Sequence, residues 1–136
     1  MRLAEGIVAL ACAGVLSACG TSAHDEVRDK VEQFATAAAK HDYQSLCTQV
    51  LAPALITRLA DAGVACVPAM RIAFGAVQNP TLSIGRIVVA GRTAQAITLS
   101  AAKGQEASLD SIELVKTADG WRVSSLGSPV LSTRPK

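Results

Sequence analysis

Ala107–Leu126 reads ASLDSIELVKTADGWRVSSL, and the fold follows from this stretch. Two runs rich in β-branched residues, Ala107–Thr117 and Trp121–Leu126, flank the dipeptide Asp119-Gly120. Such a dipeptide favours a tight hairpin, because glycine takes the left-handed backbone region at no steric cost. Upstream, Ser83–Val89 and Thr93–Ser100 have the same composition. Ala90-Gly91-Arg92 separates these two runs, and Ala101–Gln105, with Gly104, leads into the third. Four consecutive strands with only turn-length spacers between them predict an antiparallel meander. In the third run Leu109 is followed by Ile112 and Leu114, so the period-two alternation slips by one residue. That slip predicts a β-bulge or bend near Asp110-Ser111 and hence a curled sheet.

Before Asn79-Pro80 the periodicity is helical. Asp25–Lys40 carries Val27, Val31, Phe34, Ala35 and Ala38 on one face, the spacing of a helix that buries one side. The opposite face offers Glu26–Lys30 and Arg28–Glu32 as ion pairs four residues apart, and Asp25 and Glu26 suit the positive end of the helix dipole. Asp42 is an N-cap for a second short helix, Tyr43–Leu51. Pro53 suits the first turn of a third, with Leu55 and Leu59 on its buried side and Ala62-Gly63 at its end. Pro68–Ala76 reads as one or two further helical turns. Helices followed by a meander predict an α+β domain, with N-terminal helices packed on one face of a curved four-stranded antiparallel sheet. At 136 residues the chain has room for one such domain, placed at residues 25–126 and followed by a loose tail over 127–136.

Met1–Cys19 reads MRLAEGIVALACAGVLSAC. Arg2 opens a positive segment, and the apolar run Gly6–Val15 is too short to span a bilayer, which takes about 20 residues. It has the proportions of a signal-peptide core and ends in small residues. Leu16-Ser17-Ala18-Cys19 resembles the lipobox of bacterial lipoproteins. That resemblance implies a signal peptide over residues 1–18, removed by cleavage, and acylation of Cys19. Residues 19–24 then form a tether, and membrane lipid is the partner that holds the chain at the outer face of a bacterial envelope membrane. With Cys12 removed and Cys19 acylated, two of the four cysteines remain, Cys47 and Cys66. In an oxidising compartment they are expected to form a disulfide. They lie nineteen positions apart with His24 and His41 both upstream, which is not the paired spacing of a zinc motif, so no metal site is expected.

The helix Val27–Ala39, the segment Asp42-Tyr43-Gln44-Ser45-Leu46-Cys47 and the closing hairpin Glu113–Val123 together resemble the cone-shaped nuclear transport factor 2-like (cystatin-like) superfamily, specifically its small extracytoplasmic lipoprotein members. The resemblance covers about Asp25–Leu126 and implies a cone with a pocket between sheet and helices. Enzymatic relatives (isomerases, dehydratases, cyclases) place carboxylates, histidine and tyrosine inside that cone. Three residues are candidates for such a pocket here. Tyr43 begins the second helix and also reads as a packing residue. Asp110 sits at the inferred bend, which can turn it inward. Trp121 reads first as a hairpin core residue. His41 and His24 are expected at a helix end and in the tether.

No catalytic residue is assigned, because the chain has no nucleophile elbow, triad context, dinucleotide fingerprint or phosphate loop. No cofactor is expected. A net charge of +2 from 13 basic and 11 acidic residues argues against a nucleic-acid partner. The scarcity of aromatics, 3% of the chain, argues against a base-stacking surface. Two functions remain open. One is a non-enzymatic, lipid-anchored protein that binds an apolar small molecule or an envelope protein. The other is an envelope enzyme of the same fold, using Asp110 or Tyr43 for proton transfer on a hydrophobic substrate. Oligomeric state is left open.

Overall fold

Ser22 starts the first helix. Its hydroxyl accepts a hydrogen bond from the Asp25 N–H (3.2 Å) and donates to the Asp25 carboxylate (2.8 Å), satisfying an otherwise orphaned helix donor. The computed structural model describes residues 21–129; the signal segment and Cys19 lie outside them. Helix α1, Ala23–Ala39, buries Val27, Val31, Phe34, Ala37 and Ala38. His41 follows in the left-handed region (φ 55°) and ends the helix.

Asp42 then caps α2, Tyr43–Ser45, accepting from the Ser45 N–H (3.1 Å) and from its hydroxyl (2.7 Å). Instead of continuing as an α-helix to Leu51, the chain makes a wider π-helical turn over Leu46–Val50, closed by Leu51 N–H to Leu46 C=O at 2.9 Å. The wider turn puts Leu46, Val50 and Leu51 all in the core. Helices α3, Pro53–Asp61, and α4, Cys66–Phe74, follow. A disulfide joins Cys47 of the π-turn to Cys66 at the start of α4, with Cα atoms 6.0 Å apart.

The Asp42 cap has a pH signature. The Ser45 hydroxyl and then the Ser45 N–H hold the Asp42 carboxyl below its ordinary value. A carboxyl lowered in the folded state stabilises above the unfolded value and loses that contribution as pH falls through the folded one. Asp42→Ala is therefore expected to melt below the wild type at neutral pH. The gap should close as the solution is acidified below the usual aspartate range, as thermal melts across a pH series would read. A gap independent of pH would exclude the charged cap.

Neither Glu26–Lys30 nor Arg28–Glu32 forms the expected ion pair. Each partner of the first pair is taken by the rest of the fold. Lys30 Nζ donates to Gln33 Oε1 (2.7 Å) and to the Gln49 carbonyl at the open end of the π-turn (3.1 Å). Partial burial, and then the nearby Arg122 guanidinium, hold its pKa below the usual lysine range. Glu26 instead meets Lys116, 3.3 Å away, the sole salt bridge among the described residues.

The sheet is the expected meander. Strands β1 (Thr81–Ala90), β2 (Thr93–Ala102), β3 (Gln105–Thr117) and β4 (Gly120–Pro129) lie in the order β1-β2-β3-β4, each antiparallel to the next. The β2–β3 connection is tighter than the sequence suggests, with Ala102 already opposite Gln105, and β4 runs three residues past Leu126.

The bulge is a correction. Against β2, strand β3 is continuous through Asp110 and Ser111, with Thr98 opposite Asp110 and Ser100 opposite Ser108. Beside Asp110 and Ser111 the extra residues belong to the edge strands; against β2, strand β3 carries one only near its start, between Gln105 and Ser108. In β1 the register shifts between Ile84 and Ile87. In β4 Val123 faces Leu114, Ser125 faces Glu113 and Ser128 faces Ser111, so β4 carries the surplus. Gly127, at φ 53°, supplies the left-handed residue that this irregular stretch uses. The apparent slip in β3 arises because Leu109 is not a core residue. It pairs with Leu99 on the outer face, both 48% exposed. The helices cover the other face, where Ala96, Ile112, Leu114, Trp121 and Val123 meet Val27, Val31, Phe34 and Leu46. Among the described residues no single helix is long and apolar enough to cross a membrane.

Candidate functional site

The inner face of the two central strands changes character along its length. Cross-strand pairs run Ala94–Leu114, Ala96–Ile112, Thr98–Asp110 and Ser100–Ser108. The first two pairs are buried in the core. The last two are polar and form the floor of a cleft of about 300 Å³ between sheet and helices. Its walls are apolar. Phe34, Ala35 and Ala38 come from α1, Phe74 from α4, Val77 and Pro80 from the connection to the sheet, and Leu82 and Leu126 from the edge strands. Phe34 and Phe74 meet edge to face, with centroids 5.8 Å apart, a geometry favoured by the aromatic quadrupole.

Asp110 is the centre of the polar end. Oδ2 accepts from Ser100 Oγ at 2.8 Å and Oδ1 from Ser108 Oγ at 2.9 Å. Thr98, 1% exposed, directs its hydroxyl at the Asp110 carbonyl over 3.5 Å. On the β4 side the neighbour is Gly127, where a Cβ would come within 3.8 Å of the Asp110 Cβ. The carboxylate is thus fixed by two hydroxyls on rigid strands, which is how a recognising group is held in one orientation.

The other two pocket candidates lie elsewhere. Tyr43 is buried on α2, stacked on His41 with ring centroids 5.8 Å apart and with the Arg71 guanidinium 6.0 Å from its ring. It packs helix on helix and does not line the cleft. Trp121, 2% exposed, is a core residue whose Nε1 donates to Glu26 Oε2 at 3.2 Å, with Lys116 Nζ 5.7 Å from its ring. Thr98, Ser100, Ser108 and the Phe34–Phe74 pair were not singled out in the sequence. The serines carried no local signal: a tight turn at Lys103-Gly104 alone would set Ser100 opposite Ala107, and Ser108 faces it only because the register shifts between Ser100 and Ala102.

A second hollow of about 500 Å³ lies beside the disulfide, lined by Cys47, Thr48, Thr57, Thr117, Asp119 and Arg122 among others. Its three threonine hydroxyls are already spent on the carbonyls of Gln44, Pro53 and Gly120 (2.9, 3.1 and 2.8 Å). Arg122 donates from Nη1 to the Thr48 carbonyl (3.0 Å), and its enclosed Nε makes no hydrogen bond. Among the described residues no group of three His, Cys, Asp or Glu side chains is placed to hold a metal ion.

No protein-family model matches the chain, and no curated protein sequence matches it. Among solved structures it is similar to the crystal structure of a proposed dehydratase of the NTF2-like family from Streptomyces avermitilis. The two share 19% sequence identity with a TM-score of 0.56, over 81% of this chain and 97% of that one. The likeness establishes an NTF2-like fold for this chain, with the open, curved sheet that the strand register describes.

Proposed function

We propose that this chain is a lipid-anchored ligand-binding protein of the bacterial envelope, which takes an apolar small molecule into the cleft between α1 and the sheet. The observation that carries the reading is the cleft itself: apolar walls, a fixed polar end and room for a small molecule, the usual composition of a ligand site. The lipobox supports attachment through Cys19, and the disulfide suits an oxidising compartment. The topology supports access from the aqueous side. Acylated Cys19 would sit four residues before α1, whereas α1 lines the cleft with Phe34, Ala35 and Ala38. These residues are roughly 16–23 Å further along the helix.

The position of Asp110 favours a second reading, in which the carboxylate transfers a proton on a hydrophobic substrate. Dehydration needs an acid for the departing hydroxyl as well as a base. The other carboxylate lining the cleft, Glu106, is exposed, so binding is the reading with fewer requirements.

Native mass spectrometry of the full chain, purified in lipid nanodiscs without denaturation, tests the proposal. A discrete adduct of small-molecule mass is expected. Ala35→Trp, which puts an indole into the cleft, should abolish the adduct while leaving the melting temperature within a few degrees of wild type. An adduct that persists in Ala35→Trp would place binding elsewhere, and a chain that carries no adduct and binds no apolar probe would overturn the reading.

A further inference from the structure

Around Asp110 the cleft presents acceptors whose own hydroxyl neighbours have already given their protons. A carboxylate beside a hydroxyl can only accept, so Ser100 and Ser108 spend their protons on Asp110 Oδ2 and Oδ1. Thr98 directs its proton at the Asp110 carbonyl. What these groups turn toward a ligand is lone pairs and negative charge. A second carboxylate, Glu106, also lines the cleft, and no lysine, arginine or histidine does. Beyond this end the walls are hydrocarbon, closed by the Phe34–Phe74 pair.

We infer that the ligand class is an apolar molecule carrying a protonated amine, with the ammonium seated on Asp110 and the hydrocarbon between Phe34, Phe74 and Leu126. An ammonium brings three donors and a positive charge to a carboxylate, in a cleft lined by two acids and no cationic side chain. The resulting bonds are charge-assisted and about twice as strong as neutral ones. A neutral alcohol brings one donor and no charge. A carboxylate-headed molecule such as a fatty acid brings no donor and meets repulsion, so the cleft discriminates against free fatty acids despite its apolar walls. This inference rests on the cleft being a ligand site, as proposed above, and adds the head group that the site selects.

Three probes of one shape separate the two statements: 4-phenylbutylamine, 4-phenylbutanol and 4-phenylbutyrate. They are titrated against the full chain in nanodiscs, with empty nanodiscs as the blank for partition into lipid. The amine is expected to bind about tenfold tighter than the alcohol, with the butyrate weakest. Asp110→Asn keeps the shape but removes the charge, its amide oxygen accepting from one serine and its amide nitrogen donating to the other hydroxyl. It should bring the amine to within about twofold of the alcohol, and an unchanged melting temperature with both probes still bound reports that the cleft has kept its form. Glu106→Gln, at an exposed position, should reduce the preference by less than Asp110→Asn does. Equal binding of amine and alcohol, tighter butyrate, or an amine preference that survives Asp110→Asn overturns the inference and leaves the cleft as a ligand site. Failure of all three probes to bind overturns both statements.

Discussion

Replacing Trp121 with alanine is expected to remove about 3–5 kcal/mol of stability, a large part of the 5–15 kcal/mol typical of a single domain. The indole is 2% exposed, so truncation opens a cavity of most of an aromatic ring where β4 meets α1. It also removes a tie. Glu26 Oε2 accepts from both Trp121 Nε1 (3.2 Å) and Lys116 Nζ (3.3 Å), so a single carboxylate oxygen at the first turn of α1 holds the closing hairpin. Trp121→Phe separates the two contributions. It keeps most of the buried ring and loses the donor, and should cost about 1–2 kcal/mol, at the low end for a bond to a charged group because Glu26 is partly solvated. The chain has one tryptophan, so urea denaturation of the wild type can be followed by its fluorescence, and of both variants by circular dichroism. A Trp121→Ala midpoint indistinguishable from wild type would mean that the ring is not a core element.

Element types were legible because each rests on a local signal. The face Val27-Val31-Phe34-Ala38 has helical spacing, and Asp42 and Asp119-Gly120 are capping and turn residues whose chemistry dictates the backbone. Long-range partnerships carried no such signal. Glu26 was expected to pair with Lys30 on its own helix, but Lys116 and Trp121 reach it from strands some ninety residues away in sequence. Lys30 turns instead to the π-turn carbonyl of Gln49. An i,i+4 pair is worth only a few tenths of a kcal/mol, so a tertiary partner easily outcompetes it.

The misplaced bulge shows a different limit. Taking Leu109 as a core residue forces a slip in β3, whereas taking it as an outer-face residue keeps the alternation Asp110, Ile112, Leu114 intact and puts the irregularity in β4. Apolar residues are common on protein surfaces, so alternation alone cannot assign a strand's faces. The error had a functional consequence. With β3 regular through Asp110, that residue turns inward by simple alternation, whereas Ser100 and Ser108 align only because β3 carries an extra residue between Gln105 and Ser108. Asp110 was thus a candidate for the wrong reason, and its serine partners were hidden by an irregularity that no turn residue marks. Tyr43 and Trp121 were attractive as candidates because they are large and part-polar, yet both spend their polar or aromatic character on neighbours within the fold, Trp121 on Glu26 and Tyr43 on His41 and Arg71.

Replacing both Cys47 and Cys66 with serine is expected to cost about 3 kcal/mol, the chain-entropy value for closing a loop of this order, and to lower the melting temperature by about 10–20 °C. The loss should be uneven across the fold. Helix α3 has no buried residue and α4 buries only Met70. Their other attachments include the partly buried Leu55, Ile56, Leu59, Val67, Ala69 and Phe74, the Arg58 bond to the Ser124 carbonyl (2.7 Å) and the Ala52 N–H bond to the Val123 carbonyl (2.8 Å). Without the cross-link this pair of short helices has little apolar burial to offset the entropy of ordering it. Amides of α3 and α4 should then exchange with solvent well before those of β2 and β3, which are paired on both sides. The cleft feels the same change, because Phe74 closes one wall from the end of α4. Reducing the wild type should therefore weaken binding of a cleft probe before the sheet unfolds, read by titration with and without reductant alongside circular dichroism. Serine variants whose α3 and α4 amides exchange no faster than wild type would show that packing alone holds the helical pair, and that the disulfide stabilises the domain only globally.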